Sequence, residues 1–192
     1  MVDPLCLPEG IYSIRLDAAN CVTIEPGEVR YEDGSRYAGS MVGGKRQGTG
    51  TLHFSNGDVY LGAWVADQRH GQGTHRFTSG NVYEGQWEKD HMHGTGHETF
   101  PDGSTYQGSF KYNVIHGKGL LKLPNSDTYD GDFISDQMHG IGVYTYANGD
   151  KYSGKFVQNK RTDPKGVIIF AASTKKYTAE WIADVPGPMV PM

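Results

Sequence analysis

Histidine is the residue type in this sequence that most directly suggests chemistry, because a neutral imidazole is a common zinc ligand. His91, His93 and His97 lie close together in the segment HMHGTGH. If a turn brought their rings together, they could hold a metal, for instance between two chains. They make only a weak candidate metal site, because one repeat histidine and two surface histidines explain the segment better. No metal or cofactor is therefore predicted.

Four histidines recur at a fixed spacing, and each is followed by Gly-x-Gly. They are His70, His93, His116 and His139. On successive β-hairpins such residues would lie about 10 Å apart, whereas zinc ligands lie about 2 Å from the metal. The four cannot share one ion. The spacing instead predicts a local role, in which each imidazole bonds backbone groups of a tight, glycine-rich connection.

The other motifs that could carry chemistry do not meet its requirements. The segment GGKRQG, residues 43–48, lacks the Ser or Thr that follows the lysine of a phosphate-binding loop, so it is interpreted as a turn. No nucleophile with a base and an orienting residue stands apart from the repeats. The residues outside the repeats are also too few for a catalytic domain. The protein is predicted not to be an enzyme.

A period of 23 residues organises the chain. A tyrosine is followed two residues later by glycine and four residues later by a large apolar residue. The tyrosines and glycines are Tyr37, Gly39, Tyr60, Gly62, Tyr83, Gly85, Tyr106, Gly108, Tyr129, Gly131, Tyr152 and Gly154, and the apolar residues are Met41, Trp64, Trp87, Phe110, Phe133 and Phe156. Residues two apart share a face of a strand, so each triplet marks one buried face.

Turn signals separate these strands. Asp33-Gly34 and Asn56-Gly57 are examples of pairs that favour a hairpin turn, because glycine readily adopts positive φ. Each unit is thus predicted to be a strand, a turn, a second strand and a glycine-rich connection. Glycine is expected at position 62 because aromatic rings lie over it. They are those of Tyr60 and Trp64, together with rings of adjacent hairpins such as Phe54, Phe77 and Tyr83.

The repeated YxGxW pattern followed by xGxG resembles the MORN (membrane occupation and recognition nexus) repeat family, from about residue 25 to residue 181. This resemblance implies an all-β fold: an elongated, single-sheet antiparallel meander of 23-residue hairpins, about six full repeats and a degenerate terminal one. The domain boundaries predicted are a capping segment at 1–24, six repeats at 25–162, a degenerate cap at 163–183 and an extended tail at 184–192. Within the first segment, YSIRL is predicted to pair with CVTI.

The charge distribution is asymmetric. The net charge is -4, yet residues 151–192 contain seven Lys/Arg against three Asp/Glu. These basic residues form a candidate patch for an acidic partner or for lipid headgroups: Lys151, Lys155, Lys160, Arg161, Lys165, Lys175 and Lys176. The acidic remainder of the chain argues against nucleic acid as a partner.

Three functions are consistent with these features. Repeat-only proteins that resemble this family commonly act as scaffolds in cytoskeletal assemblies, which implies protein partners in a ciliary or flagellar axoneme, such as its spoke complexes, or at the cell cortex. The alternatives are a membrane-associated adaptor that binds anionic lipid through the basic end, and a regulatory subunit of an enzyme complex. A cytoplasmic, cytoskeletal location is expected, since the first residues do not resemble a signal peptide. Self-association is also expected, because open sheet edges attract further strands.

Overall fold

The computed structural model describes residues 14–16, 22–24 and 28–192, the first two ranges as backbone only. These residues contain strands and turns and no helix, so the prediction of an all-β antiparallel meander is confirmed. No segment of the described chain forms a helix long and apolar enough to cross a membrane. The chain divides into two compact units, residues 1–91 and 92–192.

The first unit begins with a separate strand pair, in which Ile14 is opposite Ile24 and Leu16 opposite Val22. Whether this pair caps the sheet stays a prediction, and Glu25 and Gly27 of the predicted first repeat lie outside the described residues. The strands of this unit are β1 Ile14–Leu16, β2 Val22–Ile24, β3 Val29–Arg30, β4 Arg36–Val42, β5 Lys45–His53, β6 Val59–Val65, β7 Gln68–Arg76 and β8 Val82–Glu88. From β3 to β8 each strand pairs antiparallel with the next.

The second unit continues the same pattern. Its strands are β9 His91–Thr99, β10 Thr105–Lys111, β11 Val114–Lys122, β12 Thr128–Ile134, β13 Gln137–Thr145, β14 Lys151–Val157, β15 Lys160–Arg161, β16 Asp163–Ile169, β17 Lys176–Ile182, β18 Val185–Pro186 and β19 Val190–Pro191. Successive strands pair antiparallel from β9 to β14, β14 pairs with both β15 and β16, and β16 pairs with β17. The last two short strands lie along β17, where Trp181 is opposite Pro186 and Tyr177 is opposite Pro191.

Alternation along each strand separates a buried face from an exposed one. In β6, Tyr60, Gly62 and Trp64 are buried, whereas Leu61 and Val65 are exposed. The buried face is the core of the sheet, and the large fully buried side chains are almost all repeat tyrosines.

The glycine-rich motif after each histidine does not lie where the sequence predicted. It was expected in the connection between hairpins, but His70-Gly71-Gln72-Gly73 lies inside strand β7. Gly71 has a φ of +63°, and the pairing of β6 with β7 shifts between Gly62 and Trp64. This is the signature of a β-bulge, in which an extra residue is accommodated by a left-handed glycine. The motif therefore bends a strand, and a different segment makes the connection.

The actual connection is a two-residue turn without glycine in most repeats. Ala66 and Asp67, for example, have φ values of 48° and 71°. Positive φ at both central residues is typical of the type I′ turn that best matches the twist of a hairpin. Equivalent pairs follow at Lys89-Asp90, Tyr112-Asn113, Ser135-Asp136, Gln158-Asn159 and Ala183-Asp184.

Candidate functional site

The repeat tyrosines line the centre of the buried face. All six have zero exposure: Tyr37, Tyr60, Tyr83, Tyr106, Tyr129 and Tyr152. Each hydroxyl donates a hydrogen bond to the carbonyl three residues on, as Tyr60 does to Ala63 at 3.0 Å. Burial raises the pKa of Tyr37 to about 12. These phenols therefore stay neutral at physiological pH and serve as hydrogen-bond donors inside the protein.

Two columns of glycine make room for the tyrosine hydroxyls. Gly62 is directly opposite Gly73 in the pairing of β6 with β7. A Cβ placed on Gly62 would lie 2.4 Å from the hydroxyl oxygen of Tyr60, and one on Gly73 would lie 2.3 Å from it. Because each ring lies over glycines of its own hairpin, a side chain at either position would displace the tyrosine.

The aromatic residue four positions after each tyrosine links neighbouring repeats within each unit. Trp64 makes edge contacts with Tyr37 at 5.6 Å and Tyr60 at 5.0 Å between ring centroids. Phe133 contacts Tyr106 and Tyr129 in the same way. Such contacts stabilise by about 0.5–1.5 kcal/mol beyond area burial. The predicted rings over Gly62 were partly wrong, since Phe54 and Phe77 stack on His75 instead.

Three arginines cover the tryptophans, and the sequence analysis singled out only Arg161 among them, as part of the basic patch. Their guanidinium carbons lie 4.3–4.5 Å from the ring centroids, in the pairs Arg46–Trp64, Arg69–Trp87 and Arg161–Trp181. The sequence contained a signal for this pairing. In the repeats that carry phenylalanine in place of tryptophan, the position of the arginine is occupied by Met92, Ile115 or Met138. Arginine therefore occurs where a tryptophan face offers a cation–π contact.

The aspartate or asparagine of each two-residue turn connects one repeat to the one before it. The Oδ1 of Asp67 accepts hydrogen bonds from the backbone amide of Arg46 at 2.8 Å and from its Nε at 3.2 Å. Equivalent bonds to backbone amides are Asp90 to Arg69, Asn113 to Met92, Asp136 to Ile115, Asn159 to Met138 and Asp184 to Arg161. These side chains hold the turns, while the role predicted for the repeat histidines stays a prediction.

His75 is a buried exception on the aromatic face. Its ring stacks on Phe77 at 4.1 Å and on Phe54 at 5.4 Å, and its exposure is 3%. Arg69 lies 2.7 Å from its Nδ1, and Asp58 lies 3.5 Å from its Nε2. Burial and the nearby Arg69 lower the pKa of His75, against the opposing effect of Asp58. The neutral imidazole, with Nδ1 as acceptor, fits this environment.

A groove of about 300 Å³ opens on the aromatic face of the second unit. We call it the Tyr144–Tyr146 groove, and its lining residues are Met138, Tyr144, Tyr146, Phe156, Asn159, Arg161 and Asp184. The Tyr144 and Tyr146 ring centroids are 4.9 Å apart. The Tyr144 hydroxyl donates to Asp127 at 2.7 Å, and this bond lowers the pKa of the Asp127 carboxyl.

A second groove, of about 310 Å³, lies in the first unit. It is lined by Tyr31, Asp33, Ser35, Arg46, Leu52 and Phe54. Tyr31 and Arg46 occupy the same repeat positions as Tyr146 and Arg161. Both grooves therefore combine aromatic walls with one arginine that is already paired to an aspartate.

The histidines considered as a metal site are not brought together. His91 is exposed, whereas His93 packs edge-on against Tyr112 at 5.2 Å. His97 is opposite Gln107 and its Nε2 lies 3.5 Å from the Thr99 hydroxyl. Within residues 28–192, no group of three or more His, Cys, Asp or Glu side chains is arranged to hold a metal ion.

The candidate basic patch divides into exposed lysines and one engaged arginine. The exposed residues are Lys151, Lys155, Lys160, Lys165, Lys175 and Lys176. Arg161 does not belong to an open patch, because it bonds Asp184 at 2.8 Å and lies over Trp181. Lys151 and Lys176 are both cross-strand neighbours of Ile169 on the exposed face. The remaining patch is therefore a mixed surface of lysine and aliphatic side chains.

Comparison with solved structures shows similarity of fold to one domain. The SAS-4 (dCPAP) TCP domain of Drosophila melanogaster, solved in complex with a proline-rich motif of Ana2 (dSTIL), has a TM-score of 0.52 and 13% identity, over 87% of this chain and 88% of that one. The TCP10 domain of Danio rerio CPAP has a TM-score of 0.36 and 12% identity, over 86% of this chain and 99% of that one. The comparison with curated proteins gives no match.

The family model for the MORN repeat matches five consecutive segments: residues 37–59, 60–82, 83–105, 106–128 and 129–151. Each segment begins at a repeat tyrosine and has a length of 23 residues, which is the period of the buried ladder. The match spans more than half of the chain. The chain therefore belongs to the MORN repeat family.

Proposed function

We propose that this protein is a non-enzymatic scaffold that binds other proteins in a cytoskeletal assembly, such as a ciliary or flagellar axoneme or the cell cortex. The observation that carries the proposal is that the polar groups of the repeat residues form their hydrogen bonds within the protein. The tyrosine hydroxyls bond to the backbone, and the arginines bond to turn aspartates and cover tryptophan rings. Groups engaged in this way stabilise the sheet. Partner proteins would therefore bind at the grooves and on the exposed face.

Two further observations support protein partners. The exposed face carries large apolar side chains such as Leu61 and Ile141, which are 53% and 61% exposed. Exposed apolar surface that groups into patches commonly marks an interaction site. The Drosophila melanogaster TCP domain, which shares the fold, was solved with a peptide motif of another protein.

Sedimentation from detergent-extracted cells tests the cytoskeletal setting. The endogenous protein is followed through extraction with a non-ionic detergent, before and after treatment with high salt. We expect it to stay in the insoluble cytoskeletal fraction after detergent. Complete release by detergent alone would contradict the proposal.

A second candidate function, binding to anionic membranes, is favoured by the placement of Lys151 and Lys176 beside Ile169. Lysines near a membrane surface each contribute about 1 kcal/mol of attraction to anionic lipid. Flotation with vesicles of phosphatidylcholine, with and without phosphatidylserine, tests it. Binding that needs phosphatidylserine and is lost in a Lys151→Glu, Lys176→Glu double variant would favour the adaptor function. Absence of flotation with both vesicle types would exclude binding to anionic membranes.

A further inference from the structure

We infer that the Tyr144–Tyr146 groove binds an extended, proline-rich peptide segment. This inference rests on the proposed scaffold function and assigns a partner chemistry to one of its surfaces. The groove belongs wholly to the second unit, and Met138 and Phe156 line it together with the two tyrosines. The rings of Tyr144 and Tyr146 give it flat apolar walls.

The groove offers hydrogen-bond donors to a ligand. Arg161 Nη1 donates to the Tyr146 hydroxyl, so the proton of that hydroxyl is left for another acceptor. The side-chain oxygen of Asn159 accepts the amide of Met138, which leaves its NH₂ group as a donor. A ligand that presents carbonyl oxygens therefore fits these groups.

Arg161 keeps a terminal nitrogen of the kind that Arg69 in the first unit uses within the protein. Arg69 Nη2 bonds the carbonyl of Asp90 at 2.9 Å, and its Nη1 lies 2.7 Å from the Nδ1 of His75. Among residues 28–192, Arg161 Nη2 makes no such bond, because its guanidinium turns toward Tyr146. The Nη2 group of Arg161 is thus available as a donor at the wall of the groove.

The acidic groups at the groove are already engaged. Asp184 accepts from the Nε and the backbone amide of Arg161. Asp127, beside the groove, accepts from Tyr144 and from the amide of Ala147 at 2.8 Å. Since Arg161 and Asp184 also balance in charge, the groove suits a neutral ligand better than an acidic or a basic one.

These properties select one class of peptide. A β-strand ligand would need acceptors for its N–H groups as well as donors for its carbonyls. A polyproline II helix has no internal hydrogen bonds, exposes its carbonyls and carries rings that pack on aromatic side chains. Proline residues also lack the N–H group. The groove supplies what such a segment needs: flat aromatic walls and hydrogen-bond donors.

The test is a fluorescence anisotropy titration of a fluorescein-labelled decaproline peptide with the full chain. A glycine–serine peptide of equal length is the negative control. The variants use residues that this chain carries at the same repeat position, namely Leu123 and Phe54. Tyr146→Leu removes one wall, and Tyr146→Phe keeps the ring but removes the hydroxyl. Phe100→Leu makes the same change at a position outside the groove.

We expect saturable binding of decaproline and no binding of the glycine–serine peptide. Tyr146→Leu should weaken the binding of decaproline about tenfold, which is the change expected for the loss of one aromatic contact. Tyr146→Phe should weaken it less, and Phe100→Leu should leave it unchanged. Thermal melting of each variant shows whether it is folded.

The inference is overturned if decaproline does not saturate at millimolar protein, or if folded Tyr146→Leu binds as tightly as the wild type. Either result leaves the scaffold proposal in place, since sedimentation with the cytoskeleton is measured separately. Release of the protein by detergent together with intact decaproline binding would remove the cytoskeletal setting alone.

Discussion

The hydroxyl oxygen of Tyr60 lies 2.3 Å from the point where a Cβ on Gly73 would stand, a separation at which no side chain can be accommodated. The same relationship joins Tyr37 to Gly50, Tyr106 to Gly119 and Tyr129 to Gly142. A tyrosine of one strand thus fixes the residue type on the strand beside it. This dependence explains why tyrosine and glycine repeat together in the chain.

Substitution of Gly73 by alanine should destabilise the protein through this contact. Overpacking of a filled core costs about 1–3 kcal/mol, and no flexible neighbour can yield here. Urea unfolding of Gly73→Ala measures the loss. Gly187→Ala is the matched control, because its nearest neighbour is 3.4 Å away and its φ is not positive. Equal stability of the two variants would contradict the role assigned to Tyr60.

Ser126 is a strained residue whose replacement by glycine should stabilise the protein. It has a φ of +73° at the turn position where Gly103 has +86°. A left-handed conformation costs a non-glycine residue about 1–2 kcal/mol. Ser126→Gly should therefore raise the free energy of unfolding by about 1 kcal/mol, after the larger chain entropy of glycine is subtracted. Gly103→Ser should lower it by a similar amount, and thermal melting of both variants checks the pair.

His75 should make the stability of the protein depend on pH. Because its pKa is lowered in the folded state, the unfolded chain binds more protons as the pH falls through the usual histidine pKa. Its contribution is complete at pH values above that ordinary pKa and is lost as the pH falls toward the lower, folded-state pKa. Urea unfolding at several pH values measures this dependence.

The matched variant for this test is His75→Leu, since Leu52 and Leu121 occupy the same repeat position. The stability of this variant relative to the wild type should rise as the pH falls, because the leucine cannot take up a proton. A constant difference across the acidic range would show that His75 is not the responsible group.

Arg69 and Trp87 should be energetically coupled. The guanidinium carbon lies 4.3 Å from the indole centroid, whereas the repeats with phenylalanine carry Met or Ile in place of the arginine. In a double-mutant cycle of Arg69→Met and Trp87→Phe, the double variant should lose less free energy of unfolding than the sum of the two single variants. A coupling of about 0.5–2 kcal/mol is expected for a partly buried cation–π pair. Additive losses, measured by urea unfolding, would argue that each residue acts alone.

Removal of the tail should promote self-association. Residues 185–192 lie along β17, held by few hydrogen bonds, such as those from Gly187 to Glu180 and from Met192 to Lys176. Their three prolines cannot donate to a further strand, so the tail protects the sheet edge. A chain that ends at Asp184 should form larger species with rising concentration in light scattering, more than the full chain does. Equal masses for both chains would show that the tail has no such role.

The sequence predicted the hairpin period and the buried face because tyrosine, glycine and the following aromatic recur in phase. The sequence analysis placed the His-Gly-x-Gly motif in a connection instead of a strand, because the same spacing of glycines can occur in a loop and in a bulged strand. The turn at Ala66-Asp67 was missed because it has no glycine to mark it. The contact of Arg69 with Trp87 joins residues 18 positions apart on the neighbouring strands β7 and β8, and strand periodicity does not show it. The Tyr144–Tyr146 groove likewise depends on how side chains of several strands converge.

Proximity labelling in the native cell tests the scaffold account most directly, with the labelling enzyme fused to the full chain. The labelling enzyme expressed without the chain serves as the control for unspecific neighbours. The account predicts strong enrichment of cytoskeletal proteins around the full chain and no such enrichment around the labelling enzyme alone. Enrichment dominated by membrane proteins, or the same neighbours with and without the chain, would contradict it.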